Sequence, residues 1–268
     1  YKFSWNPRNV VLAGQGTAQY LENGSLKFIP YNRLFTQTDV VEVKGYGRFD
    51  AYANRDSISY KEVYGLNAIR TLLRGTLRQE GYCKAWNVFV KLGMTDESLK
   101  VHGAENMTYA ELVSSFLPEG VGELKIRLKE FMHPHYDPQV EKMLDYLDLF
   151  GTKKIGLKED NAAHLLQLLL EEKWKLKAGD KDMIVMKHEF EYEYQGRTEK
   201  IESSLGVIGK DNEHTAMALT VGLPLAICVK NFLNGKIQGR GIQIPVTKEI
   251  YIPLLQELEE LGIRFHES

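Results

Sequence analysis

Three arginines are the residues in this chain best suited to chemistry on a small charged molecule. Arg55 stands in Asn54-Arg55-Asp56-Ser57, and further along Arg74 and Arg78 bracket Gly75-Thr76-Leu77. A guanidinium presents its N–H donors in a rigid fork that meets a carboxylate through two parallel bonds, and it stays charged at physiological pH. Three such forks suit an acidic ligand carrying more than one carboxylate. The same residues also fit an ordinary set of surface ion pairs, which are common and contribute little. Spacing alone leaves both readings open.

The elements that must hold these arginines follow from the local pattern. Residues 25–30 read as a short strand and 40–52 as one or two more, interrupted at Gly45 and Gly47 where the backbone bends or bulges. A polar turn over 54–60 then carries Arg55. From Lys61 the pattern turns helical through Val63, Leu66 and Ile69, and the 74–78 segment is predicted to lie where a helix begins, with the Gly75 amide and Thr76 hydroxyl offered to an anion. Ahead of all this, Asn6 as N-cap, Pro7 at the first helical position, the apolar Val10, Val11, Ala18 and Leu21, and Asn23-Gly24 as stop predict a helix. Val10 to Gly16 imitates the glycine-rich turn of a dinucleotide site, with Asp39 downstream. Gln19 stands where the third glycine belongs, so the helix is the better account.

Residues 80–178 read as a helical block. Tyr82, Ala85, Trp86, Phe89 and Leu92 form one stripe closed by Gly93. Thr108 with Glu111 makes a capping box, and Met107 with Leu112 its hydrophobic staple. Asp137-Pro138 opens a helix through Val140, Met143, Leu144 and Leu147, and a last one spans 160–175 with Leu165, Leu166 and Leu169. The period then switches to two. Phe190, Tyr192 and Tyr194 alternate with Glu189, Glu191 and Glu193, and Gln195-Gly196 turns the chain back, giving a hairpin whose acids face Arg197 and Lys200. The glutamates read as a solvated sheet face, and an exposed apolar face behind them would suit a dimer contact. Thr215 caps a long apolar helix with Pro224 as a kink or a new start, and Thr247 caps a final helix packing Leu254, Leu255, Leu258 and Leu261 inward.

Composition narrows the classes. A chain of 268 residues suffices for one large or two small domains, and a formal charge of −2 argues against a nucleic-acid partner. Cys83 and Cys228 are the only cysteines and read as buried free thiols in a reducing compartment. No uncharged apolar run reaches membrane-spanning length. His133, His135 and the scattered remaining histidines lack metal-ligand spacing, and neither a nucleophile elbow nor a Walker loop occurs.

Several blocks in order carry a family resemblance. They are Tyr1-Lys2-Phe3-Ser4-Trp5-Asn6-Pro7-Arg8, Tyr52-Ala53-Asn54-Arg55-Asp56-Ser57 followed by Tyr60 to Gly65, and Arg74 to Arg78 with Gly81 behind. Lys181 to Met186, Ala216 to Pro224 and Asn234-Gly235-Lys236-Ile237 continue the series, which thins between 95 and 178. Together they resemble the saccharopine dehydrogenase family, also called saccharopine reductases.

The resemblance implies an α/β fold, a mixed-sheet domain like the C-terminal domain of glyceraldehyde-3-phosphate dehydrogenase, with an all-helical insertion. The expected division is 1–80 as the first half of an α/β substrate-binding and dimerisation domain, 81–178 as the insertion and 179–268 as the second half. The implied activity is hydride transfer between saccharopine and NADP or NAD, giving glutamate and aminoadipate semialdehyde, in a cytoplasmic homodimer. Saccharopine carries three carboxylates. By resemblance Arg55, Arg74, Thr76, Leu77 and Arg78 meet the substrate and Trp5 lies near the cofactor. Gln79-Glu80 departs from the aromatic and small or basic pair often found in the family, which leaves the packing beside Arg78 open. The chain starts without Met inside a family block and reads as an excised fragment, with the nucleotide-binding unit and the general acid and base expected outside it. Alone it is expected not to turn over. Relatives acting on carboxylated polyamines, and a binding or dimerisation module without turnover, stay open as alternatives.

Overall fold

The N-terminal apolar positions divide between a short helix and a hairpin instead of forming one helix. In the computed structural model, which describes residues 1–268, α1 (Pro7–Leu12) starts as expected, with the Asn6 side chain accepting the Arg8 N–H at 3.0 Å. It ends in a 3-10 turn, Ala13–Gln15, and the chain continues as β1 (Ala18–Glu22) and β2 (Ser25–Ile29). Asn23 and Gly24 both take positive φ, 52° and 81°, between the paired Glu22 and Ser25. Asn-Gly is therefore a two-residue hairpin turn here, the geometry that matches strand twist, and not a helix stop.

The chain then runs through α2 (Tyr31–Leu34), β3 (Asp39–Val43), β4 (Gly47–Ala53), α3 (Tyr60–Val63) and β5 (Gly75–Gln79). The helix expected from Lys61 amounts to the single turn of α3. β3, β4 and β5 form one sheet in that order, with β4 and β5 antiparallel. Isolated bridges add both senses of pairing, parallel between Gln19 and Asp56 and antiparallel between Leu21 and Leu72.

The predicted helical block is present as α4 (Tyr82–Leu92), α5 (Tyr109–Phe116), α6 (Leu124–Met132), α7 (Pro138–Tyr146) and α8 (Ala162–Trp174), with a small antiparallel pair, β6 (Lys100–His102) and β7 (Glu159–Asn161), set among them. The capping box at Thr108 and Glu111 has both of its bonds, and Asp137 caps α7 through Gln139 and Val140. Contacts gather 1–41, 48–61 and 67–175 into one compact unit. Its core joins Val10, Val11 and Tyr52 to Trp86, Phe89, Leu112, Leu128, Leu144, Leu165 and Leu166. Burial of each large side chain there contributes about 1.5–3 kcal/mol.

The second unit takes 42–47, 62–66 and 176–268. Its sheet has β8 (Met183–Tyr194) at one edge, β9 (Arg197–Ile208) in the centre and β10 (His266–Glu267) at the other edge. Lys200 meets Glu191 across the hairpin at 3.0 Å, as the alternation required, while Arg197 stands opposite Tyr194. Thr215 caps a π-helical turn, Ala218–Gly222, and α9 (Leu223–Leu233) begins anew there with Pro224 in its first turn. Leu205, Ile227, Leu254, Leu258 and Ile263 form this unit's core with α10 (Lys248–Glu260). Leu255 and Leu261 do not join it: they are 46% and 55% exposed, because only Leu254 and Leu258 of this apolar stripe reach the core around Leu205 and Ile227. Both classes of element and the helical insertion agree with the expected α/β fold.

Candidate functional site

Gly75–Gln79 forms a strand where a helix start was expected over 74–78, and that decides how its side chains are distributed. Successive strand residues point to opposite faces. Thr76 and Arg78 therefore share one side and the Leu77 side chain takes the other, leaving only the Leu77 backbone for a ligand on the Arg78 side, while Arg74 lies just before the strand. In the register with β4, Thr76 lies opposite Tyr52 and Arg78 opposite Asp50, so these four share a face. β5 is the edge of its sheet, which leaves half of its backbone groups without a strand partner.

Arg78 is the most sheltered of the three arginines. Its guanidinium carbon lies 5.5 Å from the ring centroids of both Tyr1 and Tyr82. Its Nε is buried without any hydrogen-bond partner. A buried charged donor left unpaired is costly, so such a group marks a place prepared for an acceptor. Tyr52 shares a side-chain hydrogen bond with Thr76 in the same neighbourhood. Burial raises the Tyr52 phenol above its usual range and the Tyr82 phenol well above it, with the Arg78 charge pulling each the other way. Both stay neutral O–H groups at physiological pH.

Trp5 reaches this end of the strand. Its indole N–H donates to the Tyr1 hydroxyl at 3.2 Å, and the Tyr1 ring packs 5.4 Å from Tyr82 and 5.0 Å from Trp174. Tyr82 stacks on Trp86 at 5.4 Å and Phe3 meets Trp174 at 5.3 Å. The helices thus contribute the aromatic wall against which Arg78 is held.

Arg74 and Arg55 lie at the other end, where β4 and β5 part, roughly 13 Å along the strand from Arg78 at a rise of ~3.3 Å per residue. Arg74 places its guanidinium 4.0 Å from the Tyr60 ring centroid. Its N–H donates to the Ser57 Oγ at 2.9 Å and its carbonyl accepts the Asn54 N–H at 2.8 Å, which ties it to the turn bearing Arg55. Arg55 is exposed with φ 52°, a conformation a non-glycine residue keeps only when its surroundings enforce it. β1 does so: Gln19 donates to the Arg55 carbonyl and accepts from Ser57, both at 2.9 Å. None of the three guanidiniums has a carboxylate partner, whereas Arg8 and Arg264 pair with Glu97 and Glu259. The surface ion-pair reading does not describe them.

The structure thus adds Tyr1, Tyr52, Tyr60 and Tyr82 to the arginines found by sequence. Tyr1, Tyr52 and Tyr60 stand within the blocks that carry the family resemblance, and Tyr82 lies four residues past Arg78; these were the signals the sequence offered for them. A nicotinamide nucleotide has no fitting cradle around Gly14 and Gly16. The chain passes there from helix to strand, the reverse of the dinucleotide turn, and the Thr95 side chain already lies 2.5 Å from where a Cβ on Gly14 would be. No group of three or more His, Cys, Asp or Glu is placed to hold a metal, and no helix is long and apolar enough to cross a membrane. A shallow concavity of about 530 Å³ runs along α9 past Leu225, Val229 and Leu233. Its one cation, Lys230, is paired with Glu257, so it offers no free charge to a carboxylate.

Comparison with known proteins bears on this arginine strand as a whole. The family described as the saccharopine dehydrogenase C-terminal domain matches residues 1–263. The mitochondrial alpha-aminoadipic semialdehyde synthase of Mus musculus is 35% identical over 277 residues, covering 99% of this chain and 29% of that protein. The saccharopine dehydrogenase [NADP(+), L-glutamate-forming] of Saccharomyces cerevisiae is 32% identical over 280 residues, covering 97% of this chain and 60% of that one. A solved apo structure of saccharopine dehydrogenase (L-Glu forming) from Saccharomyces cerevisiae superposes with a TM-score of 0.86 at 30% identity, covering all of this chain and 62% of its own. The chain therefore spans less than two thirds of the length of these relatives. Match, identity and fold agree over nearly every residue, from the Trp5 block to the last helix, and the chain belongs to the saccharopine dehydrogenase C-terminal domain family.

Proposed function

We propose that this chain is the substrate-binding portion of an NADP-dependent saccharopine dehydrogenase, which oxidises saccharopine to glutamate and aminoadipate semialdehyde or runs the reverse. The observation that carries the reading is the buried, unpartnered Nε of Arg78 among Tyr1, Tyr52 and Tyr82. Arg78 with Thr76 takes one carboxylate in a water-poor setting where charge attraction is strong. Arg74 and Arg55 take another at the open end of the strand, and the Leu77 backbone supplies edge hydrogen bonds between them. The ligand is thereby laid out along β5, which suits an extended amino acid with three carboxylates and disfavours a compact monoacid.

The nucleotide, the general acid and the general base are assigned to parts of the protein other than these residues, since nothing around Gly14 fits a pyrophosphate. Trp5, 38% exposed and hydrogen-bonded to Tyr1, is assigned to the junction between cofactor and substrate. The two unpaired cysteines suit a reducing compartment, the cytoplasm among them. A homodimer is the proposed assembly. The sheet face that carries the buried Leu205 continues along the hairpin through Ile201, Phe190, Tyr192 and Tyr194, which are 37–60% exposed.

The deciding experiment is Arg78→Lys in the complete enzyme. Loss of the two-pronged charged bond removes roughly 1.5–3 kcal/mol of substrate binding, so the KM for saccharopine rises about 10- to 150-fold while that for the nucleotide holds. An unchanged saccharopine KM overturns the assignment.

A further inference from the structure

Asp50 is a buried carboxyl group that the substrate reading leaves without a task. It lies directly opposite Arg78 in the β4–β5 register and is 8% exposed, so an ion pair with Arg78 would be the expected use of it. The structure has another use. Asp50 Oδ2 accepts the N–H groups of Gly81 at 3.0 Å and Cys83 at 3.2 Å, at the start of α4. The first N–H groups of a helix have no partner within it and need an outside acceptor. Gly81, the N-cap of α4, has no side chain to offer. A side chain there would be strained, because its φ is 90° and a Cβ would lie 2.7 Å from Gln139 Nε2 and 3.1 Å from Met143 Cε. The cap is supplied from the neighbouring strand, and a carboxylate suits the positive end of the helix.

Two consequences meet at the substrate site. The turn from Arg78 to Tyr82 spans only Gln79, Glu80 and Gly81, so anchoring Gly81 and Cys83 to β4 sets where the Tyr82 ring stands relative to the guanidinium beside it. With Asp50 engaged by amides, the Arg78 Nε is also left without a protein acceptor. A carboxylate turned toward Arg78 would compete with the ligand for the same donors.

Resting on the assignment of Arg78 to the substrate, we propose that Asp50 is a positioning residue: by capping α4 it holds Arg78 and Tyr82 in register and keeps the guanidinium free for a substrate carboxylate. The test uses the complete enzyme with Asp50→Ala, Asp50→Asn and Arg78→Lys measured side by side. Asp50→Ala is expected to raise the KM for saccharopine at least tenfold, with kcat and the KM for the nucleotide within threefold of the parent. Asp50→Asn keeps an oxygen for both amides and is expected to restore the saccharopine KM to within threefold. Should Asp50→Ala not fold, Asp50→Ser, whose hydroxyl is too short to reach both amides, is read by the same criteria. An unchanged saccharopine KM in the truncated variant, or an equal rise in both KM values, overturns the positioning role. If Arg78→Lys raises KM and Asp50→Ala does not, Asp50 alone is misassigned; if Arg78→Lys also leaves KM unchanged, the substrate-site reading fails and this proposal with it.

Discussion

The two ends of β5 carry the same functional group in opposite settings. At one end Arg78 is enclosed by Tyr1 and Tyr82, with a buried Nε that nothing in the protein satisfies. At the other, Arg55 is exposed on a strained turn and Arg74 lies over the Tyr60 ring. A charge interaction of given length is several times stronger in a sheltered site than in water, and it is screened less by salt. On the proposed substrate reading, the enclosed end would supply affinity, and the open end attraction at a distance and a second contact that fixes orientation.

The largest effect that would sharpen this contrast is expected for Arg78→Ala. Loss of the charge and fork together removes about 3 kcal/mol of binding, and kcat/KM for saccharopine in the complete enzyme should fall more than roughly 100-fold. A fall of less than about tenfold would erase the distinction between the two ends.

Gly81→Ala comes next and reads on the fold of the enclosed end. A side chain at φ 90° that also meets Gln139 costs on the order of 1–3 kcal/mol, which a denaturant midpoint reports. The same substitution at Gly93, with φ 81° and open space around it, carries the backbone strain without the clash and should cost less.

The phenols of the enclosed end set an alkaline limit. The folded Tyr82 titrates well above its ordinary 10.0 because burial disfavours the phenolate. The folded state thus holds the proton that the unfolded chain gives up, and stability intact below about pH 10 falls as pH rises toward the folded value. Tyr82→Phe should shift alkaline unfolding to higher pH; an unmoved midpoint would mean that Tyr82 does not set this limit.

At the open end Arg74→Ala should cost about 0.5–1 kcal/mol of substrate binding through the lost carboxylate contact, a change of a few fold in KM. Arg55→Ala should cost less than roughly 1 kcal/mol at physiological salt. Its effect should shrink further as salt is raised, which the Arg78 variants should not show. Equal salt dependence at both ends would show that they share one environment.

Much of the architecture was legible in the chain. The capping box at Thr108, the Asp137-Pro138 start and the alternation over 189–194 are local signals with local causes, and each element formed where its pattern said. The first helix was overextended because Val10, Val11, Ala18 and Leu21 fit a helical stripe. Asn23-Gly24 equally marks a hairpin, and pairing of β1 with β2 decided between them. The 74–78 segment misled for a related reason. Glycine and threonine suit a helix start as well as an edge strand, and register with Ala53 to Phe49 made it the strand. For Leu255 and Leu261 the stripe was wider than the surface available to cover it.

By itself the sequence determined the family, the three guanidiniums and the local starts and stops of most helices, because these depend on residue type and short spacing. Tertiary structure alone decided that Leu77 and Arg78 face opposite ways, that Tyr1 and Tyr82 flank the guanidinium, and that Asp50 spends its oxygen on amides rather than on the arginine across from it. Such facts depend on which strand pairs with which and in what register, and pairing between distant segments is settled by burial of the whole unit, which no short stretch of residues encodes.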